Sequence, residues 1–539
     1  MHYRRTHNGI IALGLMFSLM FLVVIGKYYI LVSDRKYTVA AAQKGTITIK
    51  AETGEGYIFD RHMKPLVNIE NKYTAVAVPS MISRSEGAEY AVDKDYFYAK
   101  YDEGSPFSFE CLPDTKEKDG ITVFKVPVRY KENQSALHVI GYTSQGKGVT
   151  GIEYAYDNIL RSEYAENSVT YATDGFGNVL IGEDITINRS GNIESGVVTT
   201  IDSEIQKICE DAGKNINRGA ILAAEIKTGD ILAMASFPEY SLYDLETALN
   251  DERSPMINRN LYSYSVGSIF KLVTACEAIN QEMGGYRGEC TGCIDVSGRN
   301  FNCHKLDGHG VQDMKRAMVN SCNTYFINLS RNMSLDNFRE TAYNLGFGRE
   351  IHLCSGITSS GGVLPDTEEL GIPAELANFS FGQGKLTASP LQILQLTCAI
   401  GNKGKMPVLR LIKGLSEDGK KVVNVKEPQY AYVMEEKTAN LLKEMMTAAI
   451  YENDESKAKP FYTTAGAKTS TAQTGKCDEN GNEEYNAWIT GFFPADNPEY
   501  AVTVLVENGG YGNDSAAPIF REIADKITQY QVNDEYVIS

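Results

Sequence analysis

The stretch Val266-Gly267-Ser268-Ile269-Phe270-Lys271-Leu272-Val273-Thr274-Ala275-Cys276-Glu277-Ala278-Ile279-Asn280 reads as one helix with almost no polar face. Thr274 and Glu277 alone interrupt its apolar body, so the helix is expected to be buried. Ser268 and Lys271 stand three residues apart and therefore lie one above the other on a single face. A lysine taken out of water has a lowered pKa and can act as a neutral base. A serine beside it becomes an activated nucleophile. For an isolated pair the plainer reading is a serine N-cap with a lysine stem lying along apolar surface. The flanking sequence has to separate the two.

Around this helix the pattern is that of one large α+β unit over 194–539. Asp202 caps a helix expected at 203–212. Apolar runs at 220–225 and 231–235 are joined by Lys227-Thr228-Gly229-Asp230, which reads as a hairpin turn. Helices and loops fill 312–412, with Pro390 suited to a first helical turn. Strands at 487–493 and 500–506 flank Ala495-Asp496-Asn497-Pro498, and a helix capped by Asp514 or Ser515 is expected over 518–530.

Residues 33–193 form a second, mixed region rich in strand-like runs, closed by a linker at 190–195. In it, Gly56-Tyr57-Ile58-Phe59-Asp60-Arg61 and Gly151-Ile152-Glu153 read as turn and packing elements. Upstream, 9–26 carries no charged residue, and the run extends to 32 if Lys27 snorkels. It is long enough to span a bilayer. Tyr28-Tyr29-Ile30 stands where a cleavage site would need small residues, so 9–32 is expected to be an uncleaved single-pass anchor behind a cytoplasmic tail, 1–8. The remainder is then expected on the extracytoplasmic side.

Composition sets outer limits. In 539 residues, a net charge of −17 argues against a nucleic-acid partner, because phosphate binding needs a basic surface. Ten cysteines are too sparse for a disulfide scaffold.

Two further clusters decide the chemistry. Ser321-Cys322-Asn323 follows an amphipathic helix, and Lys468-Thr469-Ser470-Thr471 lies in a strand-like run. Each alone is a common turn or strand triplet; in this order after S-x-x-K they form a specific set. A Ser-His-Asp enzyme is the rival. Of seven histidines only His304, His309 and His352 fall in this unit, and no G-x-S-x-G surrounds Ser268. A lysine base removes the need for histidine.

With these motifs the chain resembles the class B penicillin-binding proteins, membrane-anchored peptidoglycan D,D-transpeptidases. The likeness includes Gly56-x-Ile58-x-Asp60-Arg61, Thr200-Ile201-Asp202, Lys227-Thr228-Gly229 and Gly382-Gln383-Gly384. It implies a non-catalytic N-terminal pedestal or dimerisation domain and a penicilloyl-serine transferase domain, an antiparallel sheet flanked by helices. It further implies that Ser268 attacks the penultimate D-Ala of a stem peptide and that Lys271 takes its proton. Ser321 relays a proton to the leaving amine, and Asn323 holds Lys271 and the substrate amide. Lys468 keeps Lys271 neutral through its charge, Thr469 binds the terminal carboxylate, and the N–H groups of Ser268 and Thr471 form the oxyanion hole. β-Lactams would acylate Ser268, and a glycosyltransferase of the wall-synthesis machinery is the implied partner. Ser470 replaces the family's usual Gly and is expected to narrow the substrate groove; Val266 replaces a common Pro, and Met63 a common Gly.

A carboxypeptidase or β-lactamase of the same fold, resolving the acyl-enzyme with water, is the same-chemistry alternative; a non-catalytic scaffold or β-lactam sensor is the other. No cofactor is required by this chemistry. Cys290, Cys303, His309 and Cys322, spaced C-x12-C-x5-H-x12-C, form a candidate Cys3His structural zinc set. Free buried thiols, or a disulfide from Cys290 to Cys303 or Cys293, are the competing readings.

Overall fold

The computed structural model describes residues 2–33, 45–161, 165–174 and 176–538. Residue 1 of the expected tail, 34–44 at the expected start of the pedestal, and 162–164, 175 and 539 lie outside the described residues. The N-terminal helix, His2–Ser33, contains the span Asn8–Ile30, apolar and long enough to cross a membrane.

Beyond it, the chain divides into two compact units that a single boundary does not separate. The first comprises Met1–Glu55, Glu70–Arg129 and Ser162–Ile193; the second Gly56–Ile69, Tyr130–Arg161 and Glu194–Ser539. One crossing coincides with the expected boundary at 193/194, but 56–69 and 130–161, expected in the pedestal, fold with the large unit. Local pairing explains the first insertion. Tyr57–Phe59 lies parallel to Gly196–Thr199, which pairs on its other side with Ile412–Ser416. The buried Asp60 carboxylate accepts from the N–H groups of His62 and Lys64 and from the Ser203 hydroxyl, each at 2.8 Å. The motif at 56–61 is thus a turn and packing element.

In the first unit, Phe107–Cys111, Glu70–Ala77 and Ile121–Val128 form an antiparallel sheet. A buried aromatic cluster of Phe97, Phe107 and Phe109 packs with it. A second sheet joins Thr46–Ala51, Asn167–Ala172 and Thr186–Arg189.

The second unit is built on five antiparallel strands in the order Ile231–Phe237, Gly219–Glu225, Tyr500–Val506, Glu483–Phe493, Gly466–Cys477. Both expected hairpins are present. Gly229, at φ +74°, makes the first turn possible without a Cβ clash. Alternate residues feed two cores, as the period of a strand requires. Leu222 and Trp488 enter the core shared with the helix Lys271–Asn280; Ile221 and Ile489 enter the one beneath Ser203–Gly213 and the C-terminal helix. That last helix begins at Gly512 rather than near 518 and carries Pro518 inside it. The earlier start follows from Gly512, whose N–H donates to the Thr471 hydroxyl at 3.1 Å and anchors the first turn on the sheet.

Candidate active site

Ser268 lies on a 3-10 turn, Gly267–Phe270, which passes into the α-helix Lys271–Asn280. The tighter winding matters because side chains at i and i+3 eclipse in a 3-10 turn, bringing Ser268 and Lys271 closer than an α-turn would. Phe270 drives the turn into the core, its ring centroid 4.7 Å from Phe379 and 5.0 Å from Phe347. Burying such a ring is worth about 2–3 kcal/mol, enough to fix where the helix starts. Two glycines permit the approach. Gly267 has φ +62°, and a Cβ there would stand 2.3 Å from the Ser470 hydroxyl. At Gly382, with φ +80°, a Cβ would stand 2.1 Å from the Gly267 carbonyl oxygen.

Lys271 is wholly buried, and its Nζ is surrounded by oxygen. Nζ donates to the Ser321 carbonyl at 2.6 Å, to Asn323 Oδ1 at 2.7 Å and to Ser268 Oγ at 2.9 Å. The two carbonyl oxygens can only accept. When the amine is neutral they occupy both of its N–H groups, and the lone pair is left facing the Ser268 hydroxyl. That is the geometry of a base poised on its nucleophile. Asn323 is oriented for this by its other end, as Nδ2 donates to the Asn302 carbonyl at 3.2 Å.

Ser321 reaches Lys271 through both its carbonyl and its hydroxyl because its backbone is left-handed, at φ +47°. A non-glycine residue in that region is under strain, a pattern common at reactive sites. The Ser321 hydroxyl lies 3.3 Å from Lys271 Nζ and 3.0 Å from Lys468 Nζ, so it bridges the two amines.

Burial lowers both lysines. Desolvation takes Lys271 down to about 8, against a smaller opposing pull from Cys322 and Cys303. Desolvation and then the charge of Lys271 take Lys468 down to about 7. With the two amines lowered together, what each one faces decides which of them is neutral. The acceptor geometry favours the neutral form at Lys271, where a lone pair has a hydroxyl to receive. With Ser321 touching both, one proton shift exchanges the two states, and the titration belongs to the pair.

Lys468, Thr469, Ser470 and Thr471 lie on Gly466–Cys477, the edge strand of the sheet. Lys468 and Ser470 are buried on one side, while Thr469 and Thr471 are partly exposed. A strand edge offers unpaired backbone groups to an extended peptide. Thr471 Oγ1 accepts from Gly512 N–H, so that hydroxyl is already engaged. Ser470 departs from expectation. Its side chain is 3% exposed and donates to the Val266 carbonyl at 2.8 Å, so the hydroxyl is engaged with the nucleophile turn.

Cys290, Cys303, His309 and Cys322 converge, with ligand atoms all within 4.8 Å of one another. The Sγ atoms of Cys290 and Cys303 lie 3.5 and 3.6 Å from His309 Nδ1, and those of Cys303 and Cys322 are 3.9 Å apart. A tetrahedron with Zn–S of about 2.3 Å and Zn–N of about 2.0 Å has edges of about 3.5–3.8 Å, so the set fits the ion. All ten cysteines are free thiols, so neither Cys290–Cys303 nor Cys290–Cys293 is bridged.

Sequence reasoning missed three contributors: the Asn302 carbonyl, the Ser321 carbonyl, and the close contact of Gly382 with Gly267. The first two are backbone atoms and leave no residue-type signal. The third was visible only as a glycine motif.

Residues 219–525 match the family described as the penicillin binding protein transpeptidase domain. Across 96% of the chain and 86% of the relative, 27% of residues are identical to stage V sporulation protein D of Bacillus subtilis. The peptidoglycan D,D-transpeptidase PbpA of Mycolicibacterium smegmatis is 29% identical over 73% of this chain and 82% of its own. In fold, the chain is similar to penicillin-binding protein A of M. tuberculosis, solved as a ceftriaxone acyl-enzyme complex, with a TM-score of 0.61 and 24% identity over 74% and 92% of the two chains. The residues matched cover more than half of the sequence, and the chain belongs to the penicillin-binding protein transpeptidase family, among its class B peptidoglycan D,D-transpeptidases.

Proposed function

We propose that Ser268 is the nucleophile with which this D,D-transpeptidase cross-links peptidoglycan stem peptides, and that Lys271 is its base. The observation that carries this reading is the Lys271 amine, 2.9 Å from Ser268 Oγ with two carbonyls taking its protons. Ser268 Oγ attacks the carbonyl carbon of the penultimate D-Ala while its proton passes to Lys271 Nζ. The peptide C–N bond breaks, and the departing nitrogen of the last D-Ala takes a proton delivered through the Ser321 hydroxyl. An amine of a second stem peptide then attacks the acyl carbon, and Ser268 Oγ leaves and is reprotonated. In this scheme Asn323 holds the base, and the edge strand binds the donor peptide by backbone pairing, with Thr469 toward its carboxylate. β-Lactams enter the same path: Ser268 opens the ring C–N bond and stays acylated.

The wall substrate lies outside the membrane, so the anchor runs with its N-terminus in the cytoplasm and the catalytic unit outside. A glycosyltransferase that polymerises the glycan strand is the matching partner, because cross-linking needs nascent strands. Cys290, Cys303, His309 and Cys322 would hold a zinc ion, which when bound supplies folding energy rather than reaction chemistry. Cys322 sits between Ser321 and Asn323, and Cys303 follows Asn302, so these ligands brace both sides of the Asn323 amide.

Incubation with a donor peptide ending in D-Ala-D-Ala and an acceptor amine tests the reading. Free D-Ala should appear together with a donor–acceptor product. D-Ala without that product would assign the chain to the carboxypeptidases, and neither would leave the scaffold reading.

A further inference from the structure

The four residues that lead into the nucleophile are each held by a different part of the large unit. Tyr264 donates its hydroxyl to Glu507 Oε1 at 3.0 Å, an oxygen that also accepts from the buried Arg259 Nε at 2.9 Å. Trp488 Nε1 donates to the Ser265 carbonyl at 3.1 Å. Ser470 Oγ donates to the Val266 carbonyl at 2.8 Å, and Gly267 N–H donates to the Gly382 carbonyl at 2.8 Å. Two of these bonds come from adjacent strands of the sheet, Glu483–Phe493 and Gly466–Cys477, and a third from Glu507, one residue past the end of Tyr500–Val506.

The Ser470 bond differs from the others in what it joins. Lys468 is two residues away on the same strand and the same side, and Thr471 is next to it. The bond therefore runs directly between the wall that carries Ser268 and the wall that carries Lys468. Ser470 is itself held from behind: its cross-strand partner is Trp488, and a Cβ at Gly512 would stand 2.3 Å from its carbonyl oxygen. With its backbone held by the sheet and its hydroxyl bonded to Val266, Ser470 transmits position rather than absorbing it.

We infer that Ser470 is a positioning residue for acyl transfer, its hydroxyl fixing the nucleophile turn against the edge strand through the Val266 carbonyl. This inference rests on Ser268 being the nucleophile. Glycine at this position would have no such bond, so the distance from Ser268 to Lys468 and to the Thr471 N–H would be set less tightly. The replacement of the family's usual Gly by Ser is then a gain in preorganisation, not a loss of room for substrate.

The test is acylation of the full-length, detergent-solubilised chain by a fluorescent penicillin, resolved into a binding constant and a first-order acylation rate. Ser470→Ala removes the hydroxyl and keeps Cβ; Ser470→Gly removes both. Each should slow the acylation step by about fivefold to tenfold, the rate equivalent of one neutral hydrogen bond, with binding changed less than about twofold. Emission from Trp488, the single tryptophan, and the melting temperature report whether the fold is kept. A purely structural role would lower the melting temperature and the active fraction while leaving the rate of that fraction unchanged. Wild-type rates in both folded variants would overturn the inference while leaving Ser268 in place. Labelling of Ser268→Ala at the wild-type rate would instead overturn the nucleophile, and the inference with it.

Discussion

Lys271 Nζ and Ser268 Oγ lie 2.9 Å apart, in a site where the lysine has no contact with bulk water. The relationship is set by three residues of spacing on a 3-10 turn and by two carbonyl oxygens, from Ser321 and Asn323, that turn the amine. Consequences follow for the pH dependence, the local charge, the backbone and the candidate metal set.

Acylation by penicillin should rise with pH along one limb between about 7 and 8 and then level off. Lys271 is lowered to about 8 and Lys468 to about 7, both chiefly by burial. Below these values the dyad is protonated and Ser268 has no base. Above them the neutral amine is available without further change. In the unfolded chain both lysines keep their protons up to about 10.5, so folding releases protons across this window, and the stability these groups contribute rises with pH. Rates measured from pH 6 to 9 that show no rising limb would remove the lysine base.

Asn323→Asp should move that limb upward by about one unit or more. The change puts a carboxylate where Oδ1 now stands, 2.7 Å from Nζ, and an adjacent negative charge favours the ammonium. Acylation at pH 7 should fall while the plateau at pH 9 falls less. A uniform loss at all pH values would mean that Asn323 acts on substrate rather than on Lys271.

Gly267→Ala should destabilise the chain by about 1–3 kcal/mol, seen as a lower melting temperature. The left-handed backbone accounts for part of this, and the 2.3 Å approach of a new Cβ to the Ser470 hydroxyl for the rest. Combining it with Ser470→Gly should recover part of the loss, because the two residues are in contact. Strict additivity of the two changes would contradict the close approach.

The chain purified without reductant should carry about one zinc per molecule, and Cys303→Ser should remove most of it. Metal removal should lower the melting temperature before it changes the active fraction. Folded, penicillin-reactive wild-type protein free of metal would show that the four residues are thiols and an imidazole in simple contact.

Much of this site was legible in the sequence, for a physical reason. Ser268 and Lys271 are joined by a local rule, the i, i+3 geometry of a helical turn, and Ser321, Asn323 and Lys468 stand in short motifs whose residue types are those the chemistry needs. The cysteine and histidine set was visible as spacing, and the structure brings its ligand atoms together. What sequence could not reveal depends on tertiary register. The Ser470 hydroxyl meets the Val266 carbonyl because of how the edge strand meets the nucleophile turn, and nothing within 468–471 encodes that. The segments 56–69 and 130–161 join the large unit through pairing with residues far along the chain. The helix at Gly512 starts early because of a contact with Thr471, not because of its own capping residues.

The central claim is that Ser268 carries the acyl group, and intact-mass analysis of the full-length chain after exposure to a penicillin tests it most directly. Wild-type protein should gain the mass of one penicilloyl group, localised by peptide mapping to Ser268, and Ser268→Ala should gain none. An adduct of the same mass on Ser268→Ala, or one mapped to another residue, would contradict the account.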